Sequence, residues 1–279
     1  MVAVETEVIV RFWGVRGSIA TPGAETVRYG GNTSCVEVAI GGRSFIFDAG
    51  TGLRGLGESL LQRNGTVDAD LFFSHTHMDH VCGLPFFRPA FLPETRLRLW
   101  AGNLLPDNSL KAVLSAMMQA PLFPVPLDIL HAQVDYADFP AGTTLMPAPG
   151  MVIRTAPLNH PNGATGYRIE CAGKVIAYLT DTEHRPGAPD KNVLALADHA
   201  DLMIYDSTYT DEEYTSHIGW GHSTWHEGVR LAKAAQAKTY VIFHHDPGHD
   251  DEFMDRVAAE AEKLLPGTLV AREGLTLKL

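Results

Sequence analysis

DLFFSHTHMDH, residues 70 to 80, joins an apolar strand end to four ligand-type residues in six positions: His75, His77, Asp79 and His80. On an extended backbone, side chains at i and i+2 point the same way, so His75 and His77 can converge on one ion. Asp79 and His80 follow after the chain turns and can face a second ion beside it. Imidazole nitrogen with carboxylate oxygen suits Zn(II), Mn(II) or Fe(II). A histidine-rich turn can also be plain polar surface or an adventitious metal site, but the density of ligands here weighs against that.

Further along the chain, His160 follows TAPLN, Asp181 follows VIAYLT and His244 follows TYVIF. Each is a hydrophobic run that ends in a ligand-type residue. That is the pattern expected when several strands bring their ends to one edge of a sheet.

Short β-type runs recur around the opening segment: EVIVRFWG (7–14), CVEVAI (35–40) and SFIFDAG (44–50). Between the last of these and residue 70, GLRGLGESLLQRN places Leu53, Leu56, Leu60 and Leu61 at helical spacing. From Pro85 to Gly150, Pro and Leu are frequent and SLKAVLSAMMQ reads as a helix, so a lid or interface insertion is expected there. The second half returns to strands in MVIRTAPLNH, TGYRIECAG, KVIAYLTD, DLMIYDST and TYVIFHH. Helices are predicted from Ser223 or Thr224 to Ala237 and from about Asp251 to Leu265. No linker or long repeat divides the chain, so residues 1–279 read as a single α/β domain of two packed sheets flanked by helices.

The composition, 45% hydrophobic and 20% charged, is that of a soluble globular protein. Asp and Glu number 33 against 22 Lys and Arg, a formal charge of −11, so a long polyanion meets net repulsion and a small substrate is easier to accommodate. No apolar stretch is long enough to span a bilayer, and the N-terminus lacks the features of a secretory leader. The chain therefore reads as cytoplasmic, with no membrane partner. Cys35, Cys82 and Cys171 are odd in number and lack CxxC spacing, which fits a reducing compartment.

FSHTHMDH resembles the HxHxDH signature of the metallo-β-lactamase-fold hydrolases, and His160, Asp181 and His244 fall in that family's order over nearly the whole chain. The resemblance implies a four-layer αββα sandwich and two divalent ions, Zn or Mn, with Fe also compatible. It places one ion on His75, His77 and His160, the second on Asp79, His80 and His244, and Asp181 as the bridge. His244 is preferred to His245 because it lies three residues before Pro247, as in the T-H-x-x-P segment of related nucleases, whereas His245 points to the other side of a strand. His249, Asp246, Asp250 and Asp251 read as a polar loop at the rim.

Asp181 stands where some β-lactamases place Cys, which argues for the oxygen-rich site used on phosphodiesters. GHST, Gly221 to Thr224, resembles a loop of the ribonuclease Z and cyclic-phosphodiesterase branch, in which the histidine, here His222, lies close to the scissile phosphate. A helix N-terminus also offers free N–H groups to an anion, with Ser223 or Thr224 as its cap. A helix cap with an exposed histidine is the simpler alternative. RFWGVRGSIATPG and RYGGNTSCVEV resemble a bacterial subgroup described as phosphoribosyl cyclic phosphate or cyclic-nucleotide phosphodiesterase-like. Arg16, Ser18, Asn32 and Thr33 on these loops, with Ser223, become candidate substrate contacts, although structural turns explain the glycines equally well.

His131, His199 and His226 read as surface or core residues; His184 and His217 read as solvated loop, with orienting a ligand or lining the entrance as the alternative for either. Met117, Met118, Leu122 and Phe123 form an apolar stripe that packs in the core, caps a pocket or buries a homodimer interface.

The expected activity is hydrolysis of a small, including cyclic, phosphodiester by a binuclear metal enzyme. Asp79, Asp181 and His222 are its catalytic residues, and two ions about 3.5 to 4 Å apart share a hydroxide. A tRNA 3′-end endonuclease ranks lower, because the chain is acidic and shows no extended basic insertion to grip tRNA. A lactonase, thioesterase or β-lactamase uses the same site on acyl carbon. A metal-binding redox or regulatory module is the non-hydrolytic alternative, since fold does not fix function.

Overall fold

Val8, Val10 and Phe12 are fully buried while Ile9, Arg11 and Trp13 between them are half-exposed. This period of two belongs to a strand with one face on a core. In the computed structural model, which describes residues 7–279, the segment is β1 (Val8–Gly14). The expectation of a leaderless N-terminus falls in part on residues 1–6, outside the described residues.

The chain continues through β2 (Cys35–Ile40), β3 (Arg43–Phe47), α1 (Gly52–Asn64), β4 (Asp68–Phe73), the single turn α2 (Met78–Val81), β5 (Arg96–Ala101), α3 (Leu110–Met117) and β6 (Gln133–Asp138). It then forms β7 (Thr144–Leu145), β8 (Met151–Leu158), β9 (Ala164–Cys171), β10 (Lys174–Leu179), α4 (Lys191–Ala197), β11 (Leu202–Asp206) and α5 (Asp211–Tyr214). The last elements are α6 (Trp225–Ala234), β12 (Tyr240–Phe243), α7 (Asp251–Leu264), β13 (Leu269–Val270) and β14 (Thr276–Lys278). One seven-stranded sheet has the order β14-β1-β2-β3-β4-β5-β6, and the other β13-β12-β11-β10-β9-β8-β7. Strands β3 to β6 are mutually parallel, as are β10 to β13.

Phe12, Phe47 and Phe72 of the first sheet meet Tyr167, Tyr178 and Phe243 of the second in the central core. Leu53, Leu56 and Leu60 of α1, with Leu110 and Leu114 of α3, cover the outer face of the first sheet. On the outer face of the second lie Val193 and Leu196 of α4, Val229 and Leu231 of α6, and Met254 and Val257 of α7. The layers are therefore αββα, as the sequence predicts.

The stretch 85–150, expected to be a lid or interface, divides in two. Residues 96–101 and 133–138 add parallel strands β5 and β6 to the first sheet. The excursion between them, which carries α3 and the exposed Leu122, leaves the sheet, and after β6 the chain crosses to the second sheet at β7. No helix among the described residues is long and apolar enough to cross a membrane.

Candidate metal centre

The parallel strands deliver their carboxyl ends to one edge of the sandwich, and polar residues follow four of them: Asp48 after β3, His75 after β4, Asp181 after β10 and His244 after β12. Asp48, Asp181 and His244 have φ of 61°, 59° and 66°. Left-handed backbone at a non-glycine residue costs on the order of 1–3 kcal/mol and persists only where its surroundings hold it. Here it ends each strand abruptly and leaves a buried side chain at the sheet edge. Gly17 gives the His244 ring its room, since a Cβ there would stand 2.4 Å from Nδ1. The α2 turn, carrying Asp79 and His80, docks on the Asp48–Gly50 loop through Ala49 N–H to His80 O and Gly83 N–H to Ala49 O, both 2.8 Å.

Four of the imidazoles, those of His75, His80, His160 and His244, are anchored from behind. His75 Nδ1 lies 3.0 Å from Ser74 Oγ, His80 Nδ1 2.8 Å from Asp48 Oδ2, and His244 Nδ1 3.0 Å from Thr208 Oγ1. His160 Nδ1 donates to Gly221 O at 2.8 Å, leaving its Nε2 lone pair 3.1 Å from His77 Nδ1. The donor atoms of His75, His77 and His160 lie within 4.8 Å of one another, as do those of Asp79, His80 and His244. Asp181 stands between the two sets. Its Oδ1 is 3.6 Å from His75 Nε2 and 3.8 Å from His160 Nε2, while its Oδ2 is 3.2 Å from His80 Nε2 and 3.4 Å from His244 Nε2. All seven candidate ligands are thus brought together.

Divalent cations fit this arrangement. Buried Nε2 atoms of His75, His80 and His244 have no hydrogen-bond partner among the described residues, an expensive state for three polar atoms facing one place. Ligands about 2.1 Å from one tetrahedral ion lie about 3.4 Å apart, comparable to the spacings here. Burial lowers the pKa of His75, His77 and His160, keeping them in the neutral ligand form. Burial alone would raise the carboxyl pKa values, but the neighbouring His80 and His244 rings hold Asp79 low, and His244, His80 and His75 hold Asp181 low. For His80, burial opposes protonation, yet Asp181, Asp79 and Asp48 outweigh it and raise its pKa, so the pocket attracts positive charge. This donor set calls for divalent cations.

His222 lies beside the cluster, its ring 5.3 Å from that of His160 and 4.9 Å from that of His244. Burial lowers its pKa, but the Asp206 carboxylate, 2.9 Å from Nδ1, outweighs this and pushes it up to about 9. Asp206 also accepts from Thr182 N–H, Thr208 Oγ1 and Ser223 N–H. Thr224 caps α6 by accepting Glu227 N–H at 3.0 Å, a bond worth about 1 kcal/mol.

The candidate substrate contacts fare differently. Ser18 is exposed and its N–H donates to Asp79 Oδ2 at 2.8 Å, so it lies at the lip of the cluster. Arg16, by contrast, is wholly buried and gives its guanidinium to the carbonyls of Gly30, Asp246 and His249, which makes it a loop clamp. Thr33 is buried and exchanges hydrogen bonds with Thr51, while Asn32 gives both its N–H and its amide to Glu273. Ser223 is buried against His184 Nδ1 and Tyr205 Oη, each 2.8 Å away. All four engage polar groups inside the protein, although the buried Arg16 Nη2 has no hydrogen-bond partner among the described residues. His184 is likewise buried and stacked on Tyr214, and His217 is half-buried and stacked on Tyr209. Neither is solvated loop.

Two packed sheets with this His and Asp set at one edge define a metal-dependent hydrolase of the metallo-β-lactamase fold. Residues 43–245 match the family described as Beta-lactamase superfamily domain, and the chain belongs to that family. Ribonuclease Z of Gemmatimonas aurantiaca is 26% identical over 97% of this chain and 96% of its own length. The metallo-β-lactamase fold protein YhfI from Bacillus subtilis superimposes with a TM-score of 0.72 at 19% identity, covering 98% of this chain and 100% of that one. A diphosphatase of the PhnP family gives 0.69 at 19% identity, over 98% and 97%.

Proposed function

We propose that residues 1–279 work as one hydrolase domain that cleaves a small phosphodiester, cyclic esters included, with two divalent ions, Zn or Mn being the best fit. The carrying observation is Asp181, whose two oxygens each approach a different donor set. His75, His77 and His160 would hold one ion, Asp79, His80 and His244 the other, and Asp181 both. Bound there, the cations supply Lewis acidity toward phosphoryl oxygens and make water a stronger acid. His222, with Nδ1 on Asp206, keeps Nε2 for a phosphoryl oxygen or for protonating the leaving alkoxide. Ser18 steadies Asp79 through its N–H and leaves its hydroxyl at the lip for substrate.

Processing of tRNA 3′ ends is the second reading, favoured by the full-length similarity to a ribonuclease Z. The formal charge of −11 weighs against it. Protein loaded with Zn(II) or Mn(II) is to be assayed on bis-p-nitrophenyl phosphate, cyclic nucleotides, pre-tRNA, a lactone and nitrocefin. Small phosphodiesters should give the highest kcat/KM, and His77→Ala should abolish their turnover with the fold retained. Undiminished activity in His77→Ala, or turnover of acyl substrates alone, overturns the reading.

A further inference from the structure

Glu183 follows Asp181 by two residues on the segment leaving β10. Its backbone N–H donates to Asn159 O at 2.8 Å, and the Asn159 side-chain amide donates back to Glu183 O at 2.8 Å. This pairing fastens the segment to the residue just before His160. The Glu183 carboxylate then reaches a different part of the chain. Both its oxygens accept Gly219 N–H at 2.9 Å, Oε2 accepts Gly221 N–H at 2.8 Å, and the Tyr214 hydroxyl donates to Oε1 at 3.4 Å.

The loop so held is HIGWGH, residues 217–222, whose two glycines have φ of 90° and 88°. Such a loop has much conformational freedom to lose on folding, and the carboxylate supplies a fixed end point for it. Two groups depend on where it stands. Gly221 O accepts the Nδ1–H of His160, which sets that ring's tautomer and turns Nε2 toward His77. His222 is the next residue in the chain.

We propose that Glu183 is a positioning residue: by clamping Gly219 and Gly221 it fixes at once the His160 orientation and the placement of His222. Through its backbone and its carboxylate together, this one residue ties three segments, those following β8, β10 and β11, into a single frame around the donor cluster. The inference rests on the reading above, in which His160 holds an ion and His222 faces the substrate. Groups that orient a metal-binding histidine typically change metal affinity or activity by about 10- to 100-fold when removed.

The test compares wild type, Glu183→Ala, Glu183→Gln and Glu183→Asp, by kcat and KM on bis-p-nitrophenyl phosphate and by metal equivalents retained against a competing chelator. Glu183→Ala should lower kcat about 10- to 100-fold with KM within about threefold, and should release metal more readily. Glu183→Gln keeps an acceptor at the same reach and should recover a large part of both losses. Should Glu183→Ala not fold, Glu183→Asp carries the test, because its shorter side chain keeps the charge but should still lower kcat and metal retention. Wild-type kcat and metal retention in the folded Ala or Asp variant overturn the proposal, as does a loss that merely follows the folded fraction and is not recovered by Gln. If wild type turns over no phosphodiester, the functional reading falls, and chelator resistance decides the role of Glu183 by itself.

Discussion

His222 Nδ1 lies 2.9 Å from Oδ2 of Asp206, the last residue of β11. A carboxylate in that position selects the tautomer with Nδ1 protonated and stabilises the imidazolium. His222→Ala should lower kcat on the order of a hundredfold with metal content unchanged. Asp206→Asn should lower kcat as well, because an amide does not stabilise the cation. Steady-state kinetics paired with metal analysis check both. Loss of metal in His222→Ala would make His222 a ligand.

Arg16 carries no exposed surface and gives Nε and Nη1 to carbonyls at 2.8, 3.1 and 2.6 Å. Lysine cannot reproduce a planar fork aimed at separate acceptors. Arg16→Lys should therefore cost about 2–4 kcal/mol of stability, read as a lower urea midpoint, with KM of the folded enzyme within about twofold. A raised KM at unchanged stability would return Arg16 to the substrate.

The donor cluster was legible because His75, His160, Asp181 and His244 each follow an apolar run, with His77, Asp79 and His80 close behind the first, and a run can be read without knowing its partners. Asp48 and Asp206 obey the same rule, in SFIFDAG and DLMIYDST, and could have been found by applying it throughout. The loop residues could not. Arg16 meets carbonyls 230 and 233 positions away, and nothing local says whether a polar side chain on a glycine-rich turn faces solvent or distant backbone. Strands β5 and β6 were hidden differently: RLRLWA and QVDYAD alternate well but are embedded in Pro- and Leu-rich sequence that suggests a lid. Glu183 has no sequence signal, since its role exists only through the glycine N–H groups folded onto it.

Asp201 gives a pH dependence away from the metal cluster. It accepts Val175 N–H at 2.8 Å and Lys238 Nζ at 2.7 Å. Burial raises its pKa, but the Lys238 and Val175 bonds outweigh this and hold it below the usual carboxylate value. A carboxyl with a depressed folded pKa contributes stability that is complete above the unfolded value of about 3.9 and is lost as pH falls through the folded one. Asp201→Asn should be less stable than wild type by about 0.5–1 kcal/mol at pH 7, and the gap should shrink below about pH 4. Urea titrations at both pH values measure it, and a gap that stays constant refutes the linkage.

Gly219 and Gly221 share nearly the same backbone, with φ of 90° and 88°, yet differ in what a side chain would meet. Around Gly219 none of the described residues lies within 4 Å of an added Cβ, whereas at Gly221 that atom would stand 2.3 Å from Pro161 Cδ and 2.4 Å from His160 Nδ1. Alanine at either position bears the strain of a positive φ, about 1 kcal/mol or more. Only at 221 must the imidazole also move, and its Nδ1–H···O bond to the same residue's carbonyl must distort with it. Gly219→Ala should thus lose a little stability and keep its metal and rate. Gly221→Ala should lose affinity for the ion proposed at His75, His77 and His160 by about 10- to 100-fold, with kcat falling alongside at limiting metal. Metal titration of the two variants side by side decides the matter, since backbone strain alone would affect them equally.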